Sequence, residues 1–188
     1  MTTLRISHSS RLSWLMLFIG LYAVSISHQA MATTSIPSFI SQQLDSAKTL
    51  GQSRFTYYFF DIYDATLYAP NGEYSPQQPF ALSLAYLRDF KGRDIADRSI
   101  DEMRDLGYRD VAYLAQWLVA MESAFPDIKS GDVLTGLVDP QQHTQFYLNG
   151  EPTHYVADPQ FTEAFFAIWL SDNTSQPKMR KQLLGQSK

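Results

Sequence analysis

The sequence predicts an α+β domain in which a largely antiparallel sheet carries helices packed on one face, as an open-faced sandwich. Three observations predict it. Phe80, Leu82, Leu84, Tyr86, Arg88 and Phe90 alternate with a period of two, the pattern of a half-buried strand. Ile95, Ser99, Met103 and Leu106 then recur at helical spacing before Gly107, a C-terminal stop. Further on, Asn149-Gly150 lies within the strand-like stretch Thr144 to Val156 and marks a hairpin.

The first 32 of the 188 residues read as an export signal rather than as part of the fold. Arg5 and Arg11 form a basic start, Trp14 to Ile26 is apolar and uncharged, and Ala30-Met31-Ala32 has the small-x-small form of a cleavage site. That apolar run, about 13 residues, falls short of the ~20 needed to cross a bilayer. The expectation is cleavage after Ala32, a single domain over residues 33–188, and a periplasmic address. The chain has no cysteine, so its stability must come from a hydrophobic core without disulfides. Removing the signal leaves 13 Lys/Arg against 19 Asp/Glu, a net charge of −6. An acidic domain has no electrostatic footprint for nucleic acid or anionic lipid.

Thr33 to Ser53 is polar, with Ile36, Phe39, Ile40 and Leu44 as apolar anchors, and predicts a lead-in with one short helix or strand. Arg54 to Ala69 is rich in Tyr, Phe, Ile and Thr and predicts strand, ended by Pro70-Asn71-Gly72. After the alternating strand, Arg93, Asp94, Asp97, Arg98, Asp101, Glu102 and Arg104 fill the polar side of the first helix, read as a solvated, salt-bridged face. A second helix is expected over Asp110 to Ala124, with Leu114, Trp117, Leu118 and Met121 as its apolar stripe. Asp132 to Val138 is a candidate strand. A two-residue turn at Asn149-Gly150 would set Gln145 opposite His154. Asp158-Pro159 then supplies an N-cap and first-turn proline for a helix through Leu170, with Phe161, Phe165, Ile168 and Trp169 facing inward.

Several chemistries are missing from the sequence. It has no Gly-x-Ser-x-Gly elbow, phosphate loop, dinucleotide fingerprint, His-Glu-x-x-His or cysteine nucleophile. His143 and His154 read as rim residues rather than metal ligands, and the carboxylates of Phe125 to Asp132 as a solvated turn. No cofactor or metal is expected. The feature that points to binding is Arg54, the one cation in an aromatic run that extends to Tyr68. Its five fixed donors suit a carboxylate or phenolate. Tyr63, Tyr68 and Tyr86 are candidates to share that ligand, and Arg88 competes with Arg54 for the head group. Aromatic residues also form strands and fill cores, so packing alone accounts for many of them.

Further sequence pieces carry a family resemblance. Phe146-Tyr-Leu-Asn-Gly150, Asp158-Pro-Gln-Phe161, Ala164 to Leu170 and Arg180 to Gly185 are joined by Tyr63 to Tyr68 and the Lys129-Ser-Gly-Asp132 turn. Their order and spacing resemble the bacterial branch of the chalcone isomerase-like proteins. The resemblance implies an antiparallel sheet backed by helices with a cleft between them. It also implies either cofactor-free cyclisation of chalcones, as in the plant enzymes, or non-catalytic binding of fatty acids. In both groups an arginine of the first long strand region meets the anionic end of the ligand, and Arg54 matches it, with Tyr63 as the downstream tyrosine. The enzymes' tyrosine, lysine and asparagine are absent from the helix Gly92 to Leu106, so flavonoid cyclisation is not expected.

The leading expectation is an exported, non-catalytic binder of a small amphipathic or aromatic acid. A cofactor-free isomerase or lyase, and a structural or partner-binding protein with a filled cleft, are the alternatives; the sequence names no protein partner. One geometric condition attaches to the first. A continuous strand would separate Arg54 from Tyr63 by roughly 30 Å, so the chain must turn or bulge near Tyr58-Phe59, which lacks the Gly or Asn such a turn prefers.

Overall fold

A computed structural model describes residues 35–186. The expected export signal, residues 1–32, lies outside the described residues. Among the described residues, five helices and six strands follow in the order α1 (Ser38–Gln43), β1 (Ala47–Tyr57), β2 (Phe60–Pro70), β3 (Phe80–Tyr86), α2 (Gly92–Asp105), α3 (Val111–Ala124), β4 (Val133–Val138), β5 (Thr144–Leu148), β6 (Glu151–Val156), α4 (Pro159–Leu170) and α5 (Pro177–Leu183). The strands form one antiparallel sheet in sequential order β1-β2-β3-β4-β5-β6. This is the α+β architecture expected from the sequence.

Alternation along the strands sorts side chains into two layers. Ala65, Leu67, Leu82, Leu84, Leu134 and Phe146 face α2–α5 and join Met103, Trp117, Phe161 and Phe165 in the main core. Tyr68, Ala81, Leu137 and Tyr147 face the other way and are covered by Ile40 and Leu44. The lead-in is therefore both a helix and the start of a strand, and α1 packs on the face that the sequence pattern leaves open to water. The sequence pattern also misses α5. Its buried Met179 and Leu183 lie over β1 at Gly51, whose Cα faces α5 so closely that an added Cβ would sit 2.1 Å from the Gln182 carbonyl oxygen.

Local chemistry sets the helix boundaries. Asp110 caps α3 by accepting from the Ala112 and Tyr113 amides. Asp158 caps α4 in the same way and also accepts from Trp117 Nε1 at 2.9 Å, tying α3 to α4. The start of α2 is pinned by Asp127, which accepts from Lys91 Nζ and the Gly92 amide. In the same turn Asp132 accepts from the Lys129 amide and Asn149, so these carboxylates hold the turn together.

Two hairpins depart from the simplest register. At Asn149-Gly150 the turn pairs Leu148 with Glu151 and Tyr147 with Pro152, but a bulge then sets Phe146, not Gln145, opposite His154. Arg54 to Ala69 is not one strand. It turns back at Tyr58-Phe59, with Tyr58 in the left-handed region at φ 53°. Beyond that turn Tyr57 pairs with Phe60 and Thr56 with Asp61, yet Phe55 pairs with Tyr63 and Arg54 with Asp64. Ile62 is the extra residue. Because side chains alternate with period two, one added residue shifts the pairing by one from Tyr63 to Leu67, until a second bulge at Leu50 restores it at Thr49 and Tyr68. An unbulged ladder would set Arg54 opposite Tyr63; here its partner is Asp64.

Candidate functional site

A cavity of about 360 Å³ lies between the sheet and the helices. Its sheet side is Phe55, Tyr63, Leu84, Tyr86 and Leu134, because the register pairs Tyr63 with Tyr86 and Leu84 with Leu134 on one face. Phe165, Ile168 and Trp169 of α4 and Ile95 and Ser99 of α2 close the opposite side. The Ser99 hydroxyl donates back to the Ile95 carbonyl at 2.8 Å, so it adds little polarity. Asp94, Arg98, Glu102, Ser175 and Gln176 supply the polar rim.

Two phenols set the polarity of the interior. Tyr63 and Tyr86 stand edge to face with ring centroids 5.6 Å apart, and Phe55 stacks on Tyr63 at 5.2 Å. The Tyr63 hydroxyl accepts from Trp169 Nε1 at 3.0 Å. No described residue hydrogen-bonds the hydroxyl of Tyr86, which is buried and lines the cavity. Burial pushes both phenols well above their ordinary value of 10.0, and pushes Tyr74 up to about 12. They therefore stay protonated through neutral pH and act as hydrogen-bond donors, not as bases. A raised folded-state value means that the stabilising contribution is complete below pH 10 and is lost as pH rises above it. Urea unfolding between about pH 10 and 12 should show stability falling with a slope that approaches about 1.4 kcal/mol per pH unit for each such tyrosine. A flat profile over that range would contradict their burial.

Arg98 is the cation of the cavity lining. It pairs with Glu102 one turn along α2, and Glu102 also accepts from the Ser175 hydroxyl at 3.0 Å. Glu102 is largely shielded while Arg98 is mostly exposed, so the carboxylate anchors a guanidinium whose remaining donors are open at the rim. The sequence pattern assigns both to a solvated face, and for Arg93–Asp97 and Arg104–Asp101 that is where they lie. The missed signal was position. Ile95, Arg98, Ser99 and Glu102 fall on one i, i+3, i+4, i+7 stripe, which borders the buried stripe of Ala96, Ser99 and Met103 and reaches the cavity.

The structure separates the residues that the sequence groups together. Tyr63 and Tyr86 meet in the cavity. Arg54 does not join them, because its neighbour Phe55 points in and Arg54 points to the opposite face. There Nε and Nη2 bind Asp64 at 2.7 and 2.8 Å and Nη1 binds Asp61 at 2.9 Å. These bonds, Asp64 first, raise the Arg54 pKa further, while Thr56 and then Arg54 hold the Asp61 carboxyl below its usual range. Tyr68 lies in the second core under α1, five residues from Tyr63 and so on the other face. Arg88 lies beyond the end of β3, with its guanidinium carbon 4.4 Å from the Phe60 ring centroid.

Comparison with known proteins bears on this site. The chalcone isomerase-like family pattern matches residues 47–185, β1 through α5. The chain belongs to the chalcone isomerase-like family. A relative from Haemophilus influenzae, described as an uncharacterized protein, is 31% identical over 140 residues, covering 74% of this chain and 68% of its own. Among solved structures, a fatty-acid binding protein of Arabidopsis thaliana superposes with a TM-score of 0.60 at 12% identity, over 75% of this chain and 88% of the other. At that identity the likeness is one of fold. It places the sheet-and-helix layers of this chalcone isomerase-like protein in the same arrangement, with its own lining residues to be read from its own side chains.

Proposed function

We propose that the protein binds a small amphipathic acid in this cavity, with the acid group at Arg98 and the apolar part against Tyr63, Tyr86, Phe165 and Trp169. The observation that carries the reading is an apolar cavity, near the lower end of the roughly 300–1,000 Å³ of ligand sites, whose one lining cation among the described residues, Arg98, sits at its rim. Family membership and the fold shared with a fatty-acid binding protein support it. Glu102 fixes Arg98 in place, and the unpartnered Tyr86 hydroxyl offers a donor to a polar atom of the ligand. The reading includes export: residues 1–32 carry the pattern of a cleaved signal. Arg54 serves in it as a structural clamp of the β1–β2 hairpin.

Calorimetry on the protein from residue 33 onward, with decanoate and cinnamate as probes and 1-decanol as the uncharged control, tests the proposal. One-to-one saturable binding of an acid, weaker binding of the alcohol, and recovery of the acid chemically unchanged are expected. Failure of both acids to bind, or equal binding of decanol, would overturn it.

A further inference from the structure

The β1–β2 hairpin ends in four consecutive aromatic residues that, among the described residues, meet only Arg88 at Phe60 and one another at Tyr57–Tyr58. Tyr57, Tyr58, Phe59 and Phe60 are 54%, 79%, 94% and 53% exposed. The last residue pair joining β2 to β3 is Tyr63 with Tyr86, so the turn stands roughly 10 Å beyond the end of that ladder at ~3.3 Å per residue. Keeping these side chains there has a cost. Tyr58 takes a left-handed backbone conformation at φ 53°, which glycine or asparagine would adopt with less strain. The hairpin is also stiffened from behind, since Arg54 binds Asp61 and Asp64 while the Thr56 hydroxyl donates to Asp61 at 2.7 Å. A braced, strained turn that holds bulky rings in water is built to present them.

Size and charge say what the rings meet. Four partly exposed aromatic side chains offer on the order of 500 Å², below the ~800 Å² per partner of a stable protein interface. A convex tip of about 10 Å does match the 5–10 Å depth at which apolar side chains settle into a bilayer interface. Tyrosine rings suit the headgroup level, with the ring toward the acyl chains and the hydroxyl toward water. The base of the tip is electrically balanced: Arg54 and Arg88 face Asp61 and Asp64. Arg88 is exposed, lies against Phe60, and has no carboxylate within ion-pair distance among the described residues. A chain of net charge −6 outside its predicted signal would be repelled by an anionic surface, whereas a neutral tip would not be repelled by a zwitterionic one.

We propose that the Tyr57–Phe60 tip docks the protein on a zwitterionic lipid surface, with the rings at headgroup depth and Arg88 at a lipid phosphate. The contact is peripheral; no described helix is long and apolar enough to cross a membrane. It does not require the cavity to hold a ligand, so it stands or falls separately from the acid-binding reading.

Phosphatidylcholine vesicles test it directly. In a Phe59→Trp variant, the new indole emission should shift to the blue on vesicle addition and be quenched by brominated phosphatidylcholine, against the constant background of buried Trp117 and Trp169. Tyr58→Ser with Phe59→Ser should lower vesicle partitioning roughly tenfold or more while decanoate binding and the far-UV spectrum stay unchanged. Partitioning should also survive 0.5 M salt, since the contact is mainly apolar. An unmoved emission in the Phe59→Trp variant would overturn the proposal and leave the tip to a protein partner. Undiminished partitioning of the double serine variant, or loss of binding in salt, would overturn it equally.

Discussion

Arg98→Ala is expected to weaken decanoate binding about 10- to 100-fold, whereas Arg54→Ala leaves it within about twofold. The magnitude follows from a hydrogen bond to a charged group, worth about 1.5–3 kcal/mol, at 1.4 kcal/mol per tenfold. The contrast follows from placement. Arg98 lines the cavity and Arg54 lies on the far side of the sheet with its donors engaged by two aspartates. Glu102 sharpens the test, because a ligand carboxylate must approach a guanidinium that already holds a like-charged neighbour. Glu102→Gln should therefore tighten acid binding if it leaves Arg98 in place. The calorimetric series separates two models cleanly: a large loss at Arg54 with none at Arg98 would return the head group to the sequence-based candidate.

The second large effect is on stability. Gly51→Ala is expected to lower the thermal midpoint by about 10 °C, equivalent to about 3 kcal/mol for a domain of this size. An added Cβ would lie 2.1 Å from the Gln182 carbonyl oxygen and 2.4 Å from that of Leu183, both backbone atoms of α5. Neither can swing aside as a side chain would. The helix has to withdraw, and with it Met179 and Leu183 leave the core and the Ser53–Gln182 hydrogen bond is stretched. Differential scanning calorimetry measures the shift, and a midpoint within about 2 °C of the parent, well under the change that such a clash implies, would show that α5 is a loose appendage.

Much of the fold is legible because its signals are local. The periodicities around Leu84 and Met103, the caps at Asp110 and Asp158 and the Asn149-Gly150 turn each act within a few residues. What escapes the sequence is set at longer range. The first helix shows too few apolar residues to announce which layer it covers, and Ile40 finds its place only against Tyr68 and Tyr147, far along the chain. The last helix carries Lys and Arg among two buried residues, so its stripe is too short to read. At the site, Tyr63 and Tyr86 are legible as aromatic strand positions, but Arg98 and Glu102 look like any ion pair on a charged helix. Only the packing of α2 over the sheet distinguishes them from Arg104 and Asp101.

The extra residue at Ile62 has a consequence for how relatives are compared. Aligning sequences column by column conserves identity and order, but it carries no parity, and in a two-layer fold parity decides whether a strand residue belongs to the cavity side of the sheet or to the side under α1. Arg54 can occupy the same column as an anion-binding arginine and still belong to the other side of the sheet. Transfer of a role between members of this family therefore needs the count of residues between the hairpin turn and the position in question, since a change of one in that count exchanges the two sides.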